Sequence, residues 1–234
     1  MIGGEVIVVY KYETHLHTSP VSRCAKAGVR ESLEFYKRLG YHGVCVTNHF
    51  LDGNLNIDVN KSYEEKIEFH FSDYEKAVEI GKEIGINVFC GIESDYLGAD
   101  FLIYGPDKAW YLAHPEIMQM KRIDLLALMV DSGALVVHAH PFREAPYIEH
   151  IHLFPRSVHG VEIINSGRKD AENDMAKLYA EHYGLLPFAG SDNHFGPEQK
   201  KLAGIYFDEP ISCIEEFIEN VKNGKAKVFS TELE

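Results

Sequence analysis

Short apolar segments alternate along the chain with longer segments in which apolar side chains recur at helical spacing. The helical spacing predicts helices over residues 29–39, 72–84, 115–131, 171–183 and 211–222. The apolar segments predict strands at residues 6–10, 43–46, 87–92, 100–104, 135–137, 160–164, 185–189, 205–207 and 228–229, the first continuing towards residue 15. This alternation is typical of βαβ units around a parallel sheet. At roughly seven units, it favours a closed or distorted barrel over an open doubly wound sheet.

The predicted elements follow one another without an obvious domain boundary. No linker, low-complexity tract or internal repeat divides the sequence, so we expect residues 1–234 to form a single domain. Residues 51–63 are polar and rich in Asn and Asp, which indicates a loop or lid. No Gly-x-Gly-x-x-Gly motif follows a predicted strand and no Walker-type loop is present, which argues against a nucleotide-cofactor fold.

Potential metal ligands stand at the ends of five predicted strands. They are His15 and His17, His49, Glu93, His138 and His140, and Asp192 and His194. In a parallel barrel the carboxyl ends of the strands lie on one face, so these residues should converge there. An isolated His-x-His pair is more often two ordinary surface histidines. Five strand ends that carry His, Glu or Asp favour a metal site instead.

The chemistry of this set indicates a centre with more than one metal ion. Imidazole nitrogen and carboxylate oxygen suit Zn, Fe or Mn, and about seven or eight ligands exceed the need of one ion. Glu93 is suited to bridge two ions through its two oxygens. Paired metals bind a phosphate group and activate water. The pattern therefore predicts hydrolysis of an anionic ester.

Composition narrows the class of partner. The net charge is −13, which argues against binding of long nucleic acid through a broad basic face. The four cysteines are scattered, without a Cys-x-x-Cys pair, and no apolar run approaches the length of a membrane span. We expect a cytoplasmic protein that acts on a small phosphorylated substrate, away from membranes. The sequence does not indicate an oligomeric state.

Five motifs around the ligands together resemble the PHP (polymerase and histidinol phosphatase) domain family. They are His15-Leu16-His17-Thr18, Thr47-Asn48-His49, Gly91-Ile92-Glu93, Ala139-His140-Pro141 and Gly190-Ser191-Asp192-Asn193-His194. They occur in the family's order and span nearly the whole chain. The resemblance implies a distorted (β/α)7 TIM-like barrel with two or three divalent metal ions. It also implies phosphoesterase chemistry, as in histidinol-phosphate phosphatases.

The resemblance also implies how the ligands are shared among metal positions. One position takes His15, His17, Glu93 and Asp192, and a second takes Glu93 and His140. A third takes His49 and His194 with a residue in the loop after the first motif. At that place the family usually has Asp or His, whereas this chain has Cys24. A thiolate ligand and a role outside the site are both open for Cys24.

Two further positions depart from the family pattern or are ambiguous. Many members have a histidine after the strand that ends in the ligand glutamate, and this chain has none there. Tyr104 and His114 are the candidates to replace it. His138 stands two residues before His140, so it is either a ligand or, more in keeping with its place, a residue that supports one.

Candidate residues for phosphate binding follow two of the strands. Arg143 and Arg168 stand just beyond strand ends, and the planar guanidinium suits bidentate contact with phosphate. Arg23 is a weaker candidate. His194 or a metal-bound water is expected to protonate the leaving oxygen.

Three alternatives to a phosphatase stay open. The first is a nuclease or nucleotide phosphodiesterase of the same family. The second is an amidohydrolase, although that superfamily usually carries a carboxylated lysine at a later strand end and no strand end here has Lys. The third is a metal-binding module without catalytic activity.

Overall fold

A mixed β-sheet forms the centre of the structure, a computed structural model that describes residues 8–234. Its nine strands are β1 (Tyr10–Leu16), β2 (Tyr41–Val46), β3 (Asn87–Tyr96), β4 (Ala99–Tyr104), β5 (Leu135–Ala139), β6 (Gly160–Asn165), β7 (Leu186–Gly190), β8 (Lys201–Phe207) and β9 (Lys227–Glu232). The helices are α1 (Val29–Arg38), α2 (Tyr63–Ile84), α3 (Lys108–Ala113), α4 (Arg122–Asp131), α5 (Asp170–Tyr183) and α6 (Ile214–Lys222). The predicted beginning of the first strand, at residues 6 and 7, lies outside the described residues.

The strands are arranged in the order β7-β6-β5-β4-β3-β2-β1-β8-β9. Strands β1, β2 and β3 are parallel, as are β5, β6 and β7. The prediction of a parallel sheet is wrong for β4, which forms a hairpin with β3 and runs antiparallel to both of its neighbours. It is also wrong for β8 and β9, which run antiparallel to β1 and β8 respectively. The connection between β3 and β4 is too short for a crossover helix, so the chain can only reverse there.

The two halves of the sheet meet where β7 ends. The Ala203 backbone N–H of β8 donates to Ser191 Oγ over 3.0 Å. The Asn193 N–H donates to the carbonyl of His15, and the His17 N–H donates to the carbonyl of Asn193. These bonds curl the sheet into a nearly closed barrel, which confirms the predicted α/β, distorted TIM-like fold. They also fix the segment that carries Asp192 against the end of β1.

Helix α3 is absent from the prediction, and the predicted helices differ most from the structure at α2 and α4. Helix α2 begins nine residues earlier than the predicted start, because Ser62 and Glu65 form a capping box at its N-terminus. Residues 51–62 form the predicted loop before it. The predicted helix over residues 115–131 is divided into a 3-10 turn (Pro115–Gln119) and α4, because Met120 and Lys121 adopt extended backbone.

Large apolar side chains fill the interior of the barrel below the ligand-bearing strand ends. Tyr12, Leu102, Tyr104 and Phe188 are fully buried in one continuous cluster. The rigid packing underneath holds the strand ends in fixed positions. Within the described part of the chain, no helix is long and apolar enough to cross a membrane.

Candidate metal centre

His15 and His17 lie at the end of β1 with their Nε2 atoms 3.1 Å apart. Glu93 on β3 faces both rings, with Oε1 3.1 Å from His15 Nε2 and Oε2 3.4 Å from His17 Nε2. Asp192 Oδ1 lies 3.6 Å from the first of these nitrogens and 3.5 Å from the second. Both imidazoles are fully buried. The structure therefore brings together the four residues expected at the first metal position.

Hydrogen bonds on the far side of each ring determine where its proton lies. His15 Nδ1 is 3.0 Å from Glu162 Oε1, a carboxylate oxygen that can only accept. Ser22 Oγ donates its proton to Asn48 Oδ1 over 2.8 Å, so it accepts from His17 Nδ1 at 3.1 Å. In the neutral state both Nδ1 atoms carry the proton, and both Nε2 atoms present lone pairs to each other.

This arrangement requires a positive charge at its centre. Two imidazole lone pairs and two carboxylates face one point at hydrogen-bond distance, without a donor between them. Glu93 Oε2 is buried and lies 2.7 Å from His49 Nδ1. Burial alone would lower the pKa of His15. The carboxylates of Asp192, Glu162 and Glu93 outweigh burial and raise that pKa. A proton or a metal ion can supply the charge, and the donor set fits Zn, Fe or Mn.

A second cluster joins Glu93 to His140. His140 Nε2 lies 3.2 Å from Glu93 Oε1, 3.7 Å from Asp100 Oδ2 and 3.8 Å from Asp192 Oδ2. The ligand atoms of Glu93, Asp100 and His140 all lie within 4.8 Å of one another. Asp100 Oδ1 is buried without a hydrogen-bond partner in the described chain. This cluster fits a second ion that shares Glu93 with the first.

Asp100 is a candidate ligand that sequence reasoning did not identify. It stands at the beginning of β4 rather than at the end of a strand. Because β4 is antiparallel to β3, with Asp95 paired to Asp100, the beginning of β4 lies at the same rim as the ends of its neighbours. The available signal was the short Leu97-Gly98 turn, which indicates a hairpin rather than a βαβ crossover.

A third cluster contains His17, His49 and His194, whose ligand atoms lie within 4.8 Å of one another. Cys24 is part of the same region, with Sγ 3.1 Å from His49 Nε2. Burial raises the pKa of the Cys24 thiol, but hydrogen bonds to His194 and His49 outweigh burial and lower the pKa to about 6. The structure thus brings His49 and His194 together, as expected, and adds Cys24 to them.

The structure places the three remaining candidates away from the clusters. Tyr104 is fully buried below the site and donates its hydroxyl to the Thr14 carbonyl. His114 stacks on Trp110, at a ring distance of 4.1 Å. His138 stacks on Phe101, and neither of its ring nitrogens has a hydrogen-bond partner within residues 8–234. Tyr104, His114 and His138 therefore belong to none of the ligand clusters in the described part of the chain.

The side chains of His138 and His140 do not point to the same side, because the extended backbone of β5 ends between them. His140 has a φ of 25° and Asp192 a φ of 52°, both in the left-handed region that is unfavourable for residues other than glycine. His140 directly follows the last residue of β5, and Asp192 is the second residue after the end of β7. The local strain turns their side chains towards Glu93.

A cavity of about 630 Å³ opens above the clusters. Its wall includes Arg143 and Arg168, the two residues for which the sequence suggests phosphate binding, and the aromatic rings of Tyr147 and Phe195. Arg143 forms an ion pair with Asp100 at 3.0 Å. Arg23 does not line this cavity; its guanidinium donates to the Leu55 carbonyl.

Two buried glutamates beneath the ligands were also not identified from the sequence. Glu162 accepts from His15 Nδ1 through one oxygen and from the His140 backbone N–H through the other. Glu13 accepts from the backbone N–H groups of His15 and Ser191, and burial raises its pKa to about 7. Both lie within strands rather than at strand ends, where the sequence pattern places ligands.

Comparison with known proteins supports the assignment of the fold. Residues 170–226, which include Asp192 and His194, match the family model described as PHP-associated. The chain also resembles a two-domain protein from Bacteroides vulgatus that contains a predicted PHP-like metal-dependent phosphoesterase, with a TM-score of 0.70 and 15% identity. That match covers 95% of this chain, which spans 65% of the other protein's length.

Two further solved structures share the fold. A candidate metal-dependent phosphoesterase from Bifidobacterium adolescentis matches with a TM-score of 0.55 and 14% identity, over 89% of this chain and 94% of that one. An amidohydrolase from Chromobacterium violaceum, with bound sulfate and no metal, matches with a TM-score of 0.54 and 13% identity, over 92% and 97%. No curated protein matches the sequence. The fold and the match of residues 170–226 together confirm the predicted resemblance to the PHP domain family.

Proposed function

We propose that this protein is a metal-dependent phosphoesterase that hydrolyses a phosphate ester of a small molecule. The observation that carries the proposal is the facing set of lone pairs from His15, His17, Glu93 and Asp192 at the floor of a cavity that two arginines line. A site of this kind combines a place for cations with groups that bind an anion.

The ligands would hold two or three divalent ions, of Zn, Fe or Mn. The first position would use the four residues of the facing set. Glu93, His140 and Asp100 would form the second, and His49 and His194 would contribute to the third. Bound ions supply Lewis acidity and lower the pKa of a coordinated water, which makes hydroxide available near neutral pH.

Arg143 and Arg168 would bind the non-bridging oxygens of the phosphate. Asp100 holds the guanidinium of Arg143 at the cavity wall, and Arg168 Nε is buried without a hydrogen-bond partner in the described part of the chain. Both groups are positively charged at every relevant pH. They are therefore placed to stabilise the charge that develops on the transferred phosphoryl group.

His194 has two possible roles that differ in one proton. Its Nδ1 lies 2.9 Å from the Asp192 carbonyl, so Nδ1 carries a proton and donates it. A neutral ring then offers Nε2 as a metal ligand, whereas a doubly protonated ring would be the acid for the leaving oxygen. We assign His194 as a ligand, because it forms a cluster of ligand atoms with His17 and His49.

Hydrolysis of p-nitrophenyl phosphate by the full-length protein loaded with Zn, Mn or Fe tests the proposal. His15→Ala and Asp192→Ala should abolish turnover. The matched controls are the exposed residues His182 and Asp174 of α5, and their alanine variants should retain wild-type activity. Full activity in both site variants would contradict the proposal.

The same preparations separate the alternatives. Cleavage of dinucleotides in preference to monoesters would indicate a nuclease or nucleotide phosphodiesterase. Hydrolysis of amides or lactones without phosphatase activity would indicate an amidohydrolase, the name carried by the Chromobacterium violaceum protein. Tight metal binding without any turnover would indicate a non-catalytic module.

A further inference from the structure

A two-residue turn joins β3 to β4. Tyr96 pairs with Ala99, so Leu97 and Gly98 form the turn, and both have a positive φ, of 53° and 86°. Hairpin turns with a positive φ at both positions usually carry Asn or Asp first and Gly second. Leu97 stands at the first position, and 66% of its surface is exposed. This residue is therefore unfavourable both for its backbone conformation and for its contact with water, a combination that is typical of functional sites.

The turn lies at the mouth of the cavity. Glu93 and Asp95, which precede Leu97 by four and two residues, both line the cavity. The loop between β5 and β6 reaches the same turn, because a Cβ atom at Gly98 would lie 2.8 Å from Ile148 Cγ1. The turn and the loop therefore touch each other beside the cavity wall.

The loop adds two more exposed apolar side chains next to this contact. Tyr147 precedes Ile148 and lines the cavity, and Ile151 follows three residues later. We call Leu97, Tyr147 and Ile151 the apolar rim. Single exposed apolar residues are ordinary on protein surfaces, whereas several on two touching segments beside a cavity indicate a binding surface.

The apolar rim is continuous with the wall that would bind phosphate. The guanidinium of Arg143 lies over the ring of Tyr147, 5.9 Å from its centre. A phosphate group held by Arg143 would therefore have the apolar rim as its neighbour. A ligand that fits both places has an anionic head and an apolar part.

We propose that the apolar rim binds the leaving group of the substrate, and that the protein favours phosphate esters of alcohols that carry an alkyl chain. The proposal rests on the proposed function and narrows its substrate class. Hydrolysis of such an ester transfers the phosphoryl group to water and releases the alcohol and inorganic phosphate. The net charge of −13 opposes contact of the rim with an anionic lipid surface, so the occupant is a single substrate molecule.

Hydrolysis of n-alkyl phosphates by the metal-loaded full-length protein tests this proposal. Methyl, butyl, hexyl and octyl phosphate are compared below the concentrations at which they form micelles. We expect kcat/KM to rise with chain length, by up to about 4-fold for each CH2 group that the rim buries fully. Equal kcat/KM values for the four esters would overturn the proposal and leave the proposed function intact.

Leu97→Asn removes the apolar side chain and supplies a residue that the turn prefers. The variant should melt at the same temperature as wild type or higher, and should hydrolyse methyl phosphate at the wild-type rate. It should lose about 10-fold in kcat/KM for octyl phosphate, as should Ile151→Asn. Leu178→Gln, on the exposed face of α5, is the control. An equal loss for methyl phosphate in Leu97→Asn would overturn the proposal, because the turn would then act only by supporting the metal ligands.

Calorimetry with n-alkylphosphonates measures binding without hydrolysis. Longer chains should bind more tightly, with a heat-capacity change that becomes more negative as apolar surface is buried. Leu97→Asn should weaken both trends. Binding that follows chain length in a protein without phosphatase activity would support the apolar rim and overturn the proposed function.

Sedimentation with phosphatidylcholine vesicles, with and without phosphatidylglycerol, tests a lipid surface as the occupant. The wild-type protein should not sediment with either kind of vesicle. Sedimentation with vesicles that Leu97→Asn abolishes would overturn the proposal and identify the rim as a membrane contact.

Discussion

Glu162 Oε1 lies 3.0 Å from His15 Nδ1, and neither side chain is exposed to solvent. The other carboxylate oxygen accepts from the His140 backbone N–H over 3.0 Å and from Asn165 Nδ2 over 2.8 Å. One carboxylate on β6 therefore orients ligands that come from β1 and from the end of β5. Such a partner fixes the tautomer of a ligand histidine and increases its basicity.

We expect Glu162→Gln to weaken metal binding by about 10- to 100-fold. The glutamine has one acceptor oxygen, so its NH₂ group would face either His15 or the two N–H groups that now bind Oε2. Competition with a chromophoric chelator measures the change, and Glu181→Gln on the exposed face of α5 is the control. Unchanged affinity in Glu162→Gln would show that His15 is held by its surroundings alone.

Replacement of Arg143 or Arg168 by alanine should lower kcat/KM for phosphate esters by about 100-fold each, because each removes a charge that stabilises the transferred group. Arg143→Ala also removes the partner of Asp100, so its metal content should be measured beside its kinetics. Arg156→Ala, at an exposed position, should behave as wild type. Wild-type kcat/KM in both site variants would exclude phosphate contact by these arginines.

Gly190→Ala should disrupt the centre without changing any ligand. A Cβ atom at Gly190 would lie 2.5 Å from His15 Cβ and 2.6 Å from Glu162 Oε1, which is too close for either group to remain in place. We expect loss of metal binding and a lower melting temperature. Gly28→Ala is the control, because the nearest atom to its Cβ would be 4.0 Å away. Normal metal content in Gly190→Ala would show that His15 and Glu162 can move to accommodate the added methyl group.

His138→Phe should reduce the loss of stability in acid. Burial, and then the neighbouring His140, lower the pKa of His138 to about 3 in the folded protein. The unfolded chain binds this proton below about pH 6.5, so the folded state loses stability as the pH falls from about 6.5 towards 3. At pH 5 the loss from this residue is about 2 kcal/mol.

Denaturant unfolding of wild type and His138→Phe between pH 8 and pH 4.5 measures this effect. Any change in packing of phenylalanine against Phe101 is independent of pH, so the informative quantity is how the stability difference between the two proteins varies with pH. The difference should move in favour of the variant as the pH falls, and His182→Phe at an exposed position should show no such trend. A difference independent of pH would show that the pKa of His138 is the same in the folded and unfolded protein.

The sequence was sufficient to predict the barrel and to place His15, His17, Glu93, His140 and Asp192 on one face of it. Buried strands with polar ends leave a clear local pattern in the sequence. It did not predict Asp100, since the direction of β4 depends on a two-residue turn rather than on the apolar pattern. Glu162 was also missed, because a carboxylate inside a strand looks like an ordinary alternating polar position. The sequence also could not show that His138 lies away from the ligands. The positive φ of His140 separates the two side chains, and the residue type of His140 does not predict that backbone conformation.

The candidate metal ligands and the other residues of the cavity wall lie on different kinds of backbone. The residues that would hold metal stand on strands or within four residues of a strand end, above a packed interior. Arg143, Tyr147, Arg168 and Phe195, which line the cavity, are carried by the loops between elements. Loop exchange is therefore a practical route to new substrates for this scaffold. Grafted segments at residues 141–159 or 195–200 would reshape the cavity while the cation-binding floor stays in place.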